Sequence, residues 1–281
     1  MLVRVGSRGS RLALTQAGQA GALLRAVGAE IALVPMTTAG DRDRKSPFGE
    51  IGARGVFVKE IEEALLAGRI DVAVHSAKDM TSSDTGGLTV GAYLERDDPR
   101  DALIGATEIR PGMRIGTASA RRKAQLLAHE PTLSIEPLRG NIETRLNKRR
   151  ERGLDAIMLA ACGLDRLGLG GEIGARLDPA LMLPEAAQGA LALQVRAGEE
   201  DLVSHADHAE TRRRVSAERA CVATIGGGCL APVAAHHDGL LLTALIAAED
   251  GSWVERASGD DPVALAQQLL GLAEAHGVAC A

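Results

Sequence analysis

Three stretches of this chain gather side chains suited to holding an anion. Gly6-Ser7-Arg8-Gly9-Ser10, Thr117-Ala118-Ser119-Ala120-Arg121-Arg122 and Leu138-Arg139-Gly140-Asn141 each follow a short apolar segment, and Arg145 lies one helical turn beyond the last. Guanidinium forks pair bidentately with carboxylate or phosphate, and neighbouring hydroxyls and amides suit the same ligands. A lone arginine is more often a surface charge. Five at three segment ends, in an acidic chain, point to a ligand with several negative charges spread over two lobes. Carboxylates and phosphates are not separable on this ground, although no P-loop or dinucleotide fingerprint favours a nucleotide.

A fourth stretch, His75-Ser76-Ala77-Lys78-Asp79, also follows an apolar segment. On extended backbone Lys78 and Asp79 would point to opposite sides. One could then bind an anion while the other reaches an N–H or a cation; a structural salt bridge explains the pair equally well. The fifth is Gly226-Gly227-Gly228-Cys229-Leu230-Ala231-Pro232. Glycines let another group approach closely and an accessible thiol can be alkylated, whereas Cys162 in Leu159-Ala160-Ala161-Cys162 fits an ordinary buried role. Spacing alone leaves both a reactive and an inert Cys229 open. The cysteines at 162, 221, 229 and 280 lack zinc or thioredoxin spacing, so no metal site is expected.

Short apolar strands alternating with amphipathic helices would position these groups, which points to α/β layers. Strands are expected at Leu2–Val5, Ile31–Met36 and Asp71–His75, with helices at Ser10–Ala26 and Phe57–Ala67. The rhythm restarts after the polar Asp97-Asp98-Pro99-Arg100, a candidate hinge, with strands at Arg114–Thr117, Leu133–Leu138 and Ala156–Ala160. Helices at Ala120–His129 and Ile142–Arg152 lie between them. Arg4-Val5-Gly6-Ser7 and Arg114-Ile115-Gly116-Thr117 form a small internal echo. A strand at Ala190–Val195, a long polar helix near Leu202–Ala223, a hairpin of Leu240–Ala248 with Trp253–Ala257, and a final helix capped by Asp261 complete the reading. The irregular Thr37–Gly55 is either a functional cover or a plain solvated loop.

Composition narrows the partner. Apolar residues make up 46% of the 281, enough for aliphatic cores, while Phe48, Phe57, Tyr93 and Trp253 are the only aromatics. Stacking platforms for single-stranded nucleic acid are therefore missing. A net charge of -5 and a pI near 5.8 argue against nucleic-acid or anionic-membrane partners. The N-terminus reads as no signal peptide and no apolar run is long enough to span a bilayer. A reducing cytoplasmic setting with free thiols is expected.

Taken together, the motifs resemble those of the hydroxymethylbilane synthases (porphobilinogen deaminases). The stretches that carry the resemblance are Gly6–Ser10, Gly55-Val56-Phe57-Val58-Lys59-Glu60, His75–Asp79, Glu95–Asp101, Arg121-Arg122, Leu138–Asn141, Ala187-Gln188-Gly189 and Gly227-Gly228-Cys229, in family order. Arg11 and Leu230 depart from the usual proline and glutamine, and the third domain is short. The resemblance implies two doubly wound α/β lobes like those of a periplasmic binding protein, plus a small C-terminal α+β domain. The divisions would be 1–96 with 190–207, 97–189, and 208–281.

It further implies that Cys229 holds a dipyrromethane cofactor through a thioether, made from the enzyme's own substrate, and that Asp79 is the catalytic acid/base residue at the pyrrole nitrogens. Lys78, Asp79, Ser10, Thr117, Ser119, Arg121, Arg122, Arg139 and Gly140 would bind the cofactor; Arg8, Arg145, Arg166, Gln16 and Gln188 would bind substrate. Arg54 stands where the family has a basic residue. Four porphobilinogen units would join head to tail in tetrapyrrole biosynthesis, each losing ammonia to give an electron-poor azafulvene. A monomer that binds this small molecule, and neither nucleic acid nor membrane, is expected. A two-lobed anion-binding module would explain the arginines but not Cys229, and a thiol hydrolase would need a histidine base that the sequence does not offer.

Overall fold

The computed structural model describes residues 1–37, 58–81, 85–226 and 232–277. Cys229, Cys280, Arg54 and all of Thr37–Gly55 beyond its first residue lie outside the described residues. The chain begins with β1 (Leu2–Arg8), α1 (Arg11–Ala26), β2 (Glu30–Met36), α2 (Lys59–Leu66), β3 (Val72–Ser76) and β4 (Leu88–Tyr93). There follow β5 (Asp101–Ile104), β6 (Arg114–Gly116), α3 (Ala120–His129), β7 (Ser134–Glu136), α4 (Ile142–Glu151), β8 (Ala156–Ala160), α5 (Ala161–Arg166) and β9 (Ile173–Arg176). The last third holds β10 (Leu191–Arg196), α6 (Ala209–Ile225), β11 (Val233–His237), β12 (Leu242–Ala247), β13 (Val254–Gly259) and α7 (Pro262–Ala275).

Two compact units result: Met1–Asp97 with Gly189–Arg213, and Asp98–Gln188 with Arg214–Ala281. In the first, the sheet order is β2-β1-β3-β10-β4, with β1 parallel to β2 and β3, and β10 antiparallel to both its neighbours. Val3, Val5, Val72, Val74 and Leu193 bury one face under Ala17, Ala20 and Leu24 of α1. Ala73, together with Ile61, Ala64 and Leu65 of α2, belongs to a second cluster. Fully burying a Leu or Val side chain stabilises the fold by about 1.5–3 kcal/mol. The apolar stripe of α1 thus outweighs its modest propensity.

The second unit repeats this topology. Its sheet order is β7-β6-β8-β5-β9, with β6 parallel to β7 and β8, and β5 antiparallel between β8 and β9. Ala102, Ile104, Ile157 and Leu159 join one core, and the alternating Leu103, Ala156 and Met158 join another, so the strands are buried on both faces. A three-stranded antiparallel sheet, β11-β12-β13, is covered by Leu265, Ala266 and Leu269 of α7. Its Ala234, Leu245 and Ala247 pack with Ala124 of α3 and Leu183. The fold is therefore two α/β lobes with a small C-terminal α+β layer. No helix among the described residues is long and apolar enough to cross a membrane.

The internal echo is structural. Val5 and Gly6 pair with Val72 and Ala73, as Ile115 and Gly116 pair with Ala156 and Ile157. Arg4 N–H donates to Asp71 Oδ2 (2.9 Å) while Asp71 N–H donates to Arg4 O (2.9 Å). Arg114 N–H likewise donates to Asp155 Oδ2 (2.7 Å), and Asp155 N–H to Arg114 O (3.0 Å). A Cβ on Gly116 would meet Leu154 Cδ1 at 2.9 Å, and one on Gly6 would meet the side chain of Ile70, the corresponding neighbour. β1 and β6 therefore each carry glycine where they pass the residue before the aspartate, and a Cβ there would have to displace that neighbour's side chain.

The helix expected at Leu202–Ala223 starts later. Residues Glu200–Leu202 and Ser204–Ala206 form short 3₁₀ turns, and α6 begins at Ala209. Asp207 Oδ1 accepts from Tyr93 N–H (2.8 Å), and His208 N–H donates to Tyr93 O (2.7 Å). These bonds fasten the chain to β4 in a conformation that a continuous helix could not adopt. Strands β4, β5, β9 and β11 and helix α5 also add to the elements expected from sequence.

Candidate functional site

In the first unit, Arg8, Ser10, Gln16, His75, Ser76 and Asp79 line a small open-sided cleft together with Leu12, Ala13, Val58, Ile61 and Val74. The ends of β1 and β3 and the first turn of α1 build it. Ser10 caps α1, its Oγ accepting from Ala13 N–H (3.3 Å), which is why the helix starts beside the end of β1. Buried Gln16 donates from Nε2 to Ser76 Oγ (2.9 Å) and ties α1 to the end of β3.

Lys78 and Asp79 are not on extended backbone. Ala77–Asp79 is a 3₁₀ turn, with Ala77 N–H donating to Ala190 O (3.0 Å) and Met80 N–H to Ala77 O (3.3 Å). The residue just before β10 thus holds the chain at the turn where Asp79 enters the cleft. His75 donates from Nε2 to Gln194 Oε1 (3.0 Å), because the amide of Gln194 is itself committed to Glu62 Oε1 (2.8 Å). Burial lowers its pKa to about 4, against the weaker opposing pull of Gln194 and Glu62. A neutral imidazole therefore borders the cleft, and His75 places no positive charge in competition with Asp79.

In the second unit, buried Asp101 on β5 organises the arginines at the start of α3. Arg121 Nη1 donates to Asp101 Oδ2 (2.7 Å) and to Leu183 O (2.7 Å). Arg122 donates from Nε and Nη2 to Asp101 Oδ1 (3.0 and 2.7 Å) and from Nη1 to Met158 O (3.2 Å). Burial pushes the Asp101 carboxyl up, but the two guanidinium groups outweigh it and hold it well below the usual carboxylate range. Ser119 caps α3, accepting from Arg122 N–H (3.4 Å), and its own N–H donates to Thr117 Oγ1 (3.2 Å). Arg121 is 5% exposed, yet its Nε and Nη2 have no hydrogen-bond partner among the described residues. That edge of the fork presents the geometry a carboxylate accepts bidentately.

Further along, Asn141 caps α4 through Thr144 N–H (2.8 Å), and Gly140 holds φ at 125° with Thr144 Cγ2 where a Cβ would stand 2.6 Å away. Arg145 Nε donates to Gly140 O (2.6 Å), and half-buried Arg139 precedes that glycine. Arg166 ends α5. Gln188 is fully buried, both amide hydrogens bonded, to Pro99 O (2.7 Å) and Asp101 Oδ1 (3.0 Å). Its amide nitrogen thus supports Asp101 rather than facing a ligand.

Residues 3–204 match the family model described as porphobilinogen deaminase, dipyromethane cofactor binding domain, and 212–274 match the porphobilinogen deaminase C-terminal domain. The chain belongs to the porphobilinogen deaminase family. It is 45% identical to the porphobilinogen deaminase of Roseiflexus sp. (strain RS-1) over 95% of each chain. It is 44% identical to that of Mycolicibacterium paratuberculosis, covering 95% of this chain and 91% of that one. Among solved structures, a nutrient binding protein from Burkholderia cenocepacia bound to methionine aligns at TM-score 0.44 and 14% identity, over 75% of this chain and 93% of that one.

The cofactor of this deaminase family is a dipyrromethane; the buried Nε and Nη2 of Arg121, without a partner among the described residues, are donors of the kind a carboxylate would pair with. Sequence reasoning missed Asp101 as the organiser, although it closes the family-like stretch Glu95–Asp101. Among the described residues, no group of His, Cys, Asp and Glu is placed to hold a metal ion.

Proposed function

We propose a division of labour for the deaminase reaction, which joins four porphobilinogen units head to tail with loss of ammonia. Cys229 carries the dipyrromethane through a thioether, Asp79 serves the reacting pyrroles, and the arginines hold the acetate and propionate groups. When bound, the cofactor supplies the electron-rich pyrrole carbon to which the first unit is joined. Asp79 orients pyrrole N–H groups and stabilises the positive charge that develops on substrate nitrogen. One preorganised group of this kind contributes about 3–4 kcal/mol to lowering a barrier.

Arg121 binds a carboxylate through its Nε and Nη2, and Arg122 is fixed beside it by Asp101. Arg8, Arg139, Arg145 and Arg166 take the remaining carboxylates, assisted by Ser10, Lys78, Thr117 and Ser119. The observation that carries this reading is the buried guanidinium of Arg121, with Nε and Nη2 lacking a partner among the described residues. Three domains are proposed, with divisions at 1–96 with 190–207, 97–189 and 208–281. The protein is read as a cytoplasmic monomer acting on a small molecule; Cys162 and Cys221, both buried and outside any disulfide, suit a reducing compartment.

The mass of the denatured chain tests the assignment. Two pyrrole units are expected on the peptide containing Cys229, absent from Cys229→Ser and retained in Cys162→Ser, Cys221→Ser and Cys280→Ser. An adduct mapped to another cysteine, or no adduct on the wild-type chain, overturns it.

A further inference from the structure

Helix α6 reaches the arginine cluster indirectly. Glu218 is fully buried, its Oε2 accepting from Ala187 N–H (2.7 Å) and its Oε1 from His237 N–H (2.8 Å). Ala187 is the one non-glycine among the described residues with a left-handed backbone (φ 62°), a conformation that alanine holds only where its surroundings enforce it. Gln188 N–H donates to Glu185 O (2.9 Å) and closes the turn. The side chain of Gln188 then reaches Asp101, which holds Arg121 and Arg122.

We propose that Glu218 is a positioning residue for the deaminase reaction. By binding the amide of Ala187 it maintains the left-handed turn that seats Gln188 on Asp101, and so sets the two arginines for their carboxylate ligand. The inference rests on the reading of Arg121 given above. A carboxylate is required because two backbone N–H groups converge on it: glutamine would offer its amide donors to one of them. His236 Nδ1, buried and without a hydrogen bond among the described residues, lies 3.4 Å from Glu218 Oε1.

The test compares Glu218→Gln, Ala187→Gly and the double variant as full chains, reading porphobilinogen KM and kcat, the fraction carrying the covalent adduct, and thermal unfolding. Glu218→Gln is expected to raise KM at least tenfold and to lower the adduct fraction. Glycine adopts positive φ unaided, so Ala187→Gly added to Glu218→Gln should bring KM back to within threefold of wild type without restoring the melting temperature. A lower melting temperature with unchanged KM and adduct, or no rescue in the double variant, overturns the proposal. Should Glu218→Gln fail to fold, Gln188→Ala takes its place, and an unchanged KM there overturns it as well. Arg121→Leu runs alongside: unchanged KM in that variant sinks the reading of Arg121, whereas a raised KM there beside a normal Glu218→Gln sinks only the role of Glu218.

Discussion

Asp101 divides its two oxygens between neighbouring arginines, Oδ2 taking Arg121 at 2.7 Å and Oδ1 taking Arg122 at 2.7 Å. All three side chains are buried, so the carboxylate cannot be replaced by water. Removing one partner of such a group typically costs about 3–5 kcal/mol. Asp101→Asn should therefore lower the melting temperature sharply and reduce adduct formation together. Because the folded-state pKa is depressed, the stabilisation by Asp101 is present above the ordinary value of 3.8 and is lost as pH falls from there towards the folded pKa. Acid unfolding of Asp101→Asn should correspondingly show a weaker pH dependence below that value; an unchanged acid transition would count against the pairing.

Asp79→Asn preserves shape but removes the negative charge in the first-unit cleft. Turnover should fall by about two powers of ten or more, with the protein still folded. Wild-type enzyme given limiting porphobilinogen should show a ladder of masses, one pyrrole unit apart, that the variant builds far more slowly. An equal rate of elongation would move the chemistry to another carboxylate.

Arg121→Leu should weaken carboxylate binding by about one to two powers of ten, as expected for losing a charged hydrogen bond worth roughly 1.5–3 kcal/mol. Arg121→Lys should recover only part, since an ammonium lacks the planar fork. Both leucine variants should also lower thermal stability, because each guanidinium anchors Asp101 and a backbone carbonyl, Leu183 O for Arg121 and Met158 O for Arg122. Titrating cofactor assembly and initial rates at limiting substrate separates these cases.

His75 offers a test by pH. Its folded-state value of about 4 lies below the ordinary 6.5. The neutral form stabilises the fold fully above pH 6.5, and that contribution falls as pH drops from 6.5 towards 4, with a limiting slope of about 1.4 kcal/mol per pH unit. Denaturant midpoints of His75→Gln measured across this window should lose that slope. A variant that keeps it would show that other groups govern the acid flank.

Much of the fold was legible because it depends on local pattern. Helix α3 spans the expected residues, and Asp261 caps α7 through Val263 N–H (2.8 Å) and Ala264 N–H (3.0 Å). Strands β5 and β9, four residues each, are too short for a period to emerge. The 3₁₀ turn at Asp79 and the delayed start of α6 arise from bonds to Ala190 and Tyr93, remote in sequence. The arginines announced themselves by type and position. Asp101 and Glu218 did not, and Gln188 entered only through the resemblance, as a substrate contact, since a buried polar residue declares its partner only when the chain has folded around it.

Strand β10 lies between β3 and β4, and β4 has no other partner in its sheet. During synthesis, β4 must wait with a free edge until the ribosome has produced all of Asp98–Gln188 and then Leu191–Arg196. The later lobe is thus the one free to close first, and the earlier lobe, with the bend that presents Asp79, is finished only by the returning chain. A nascent chain halted before Leu191 would expose an unpaired strand, the state in which chaperone binding and aggregation compete.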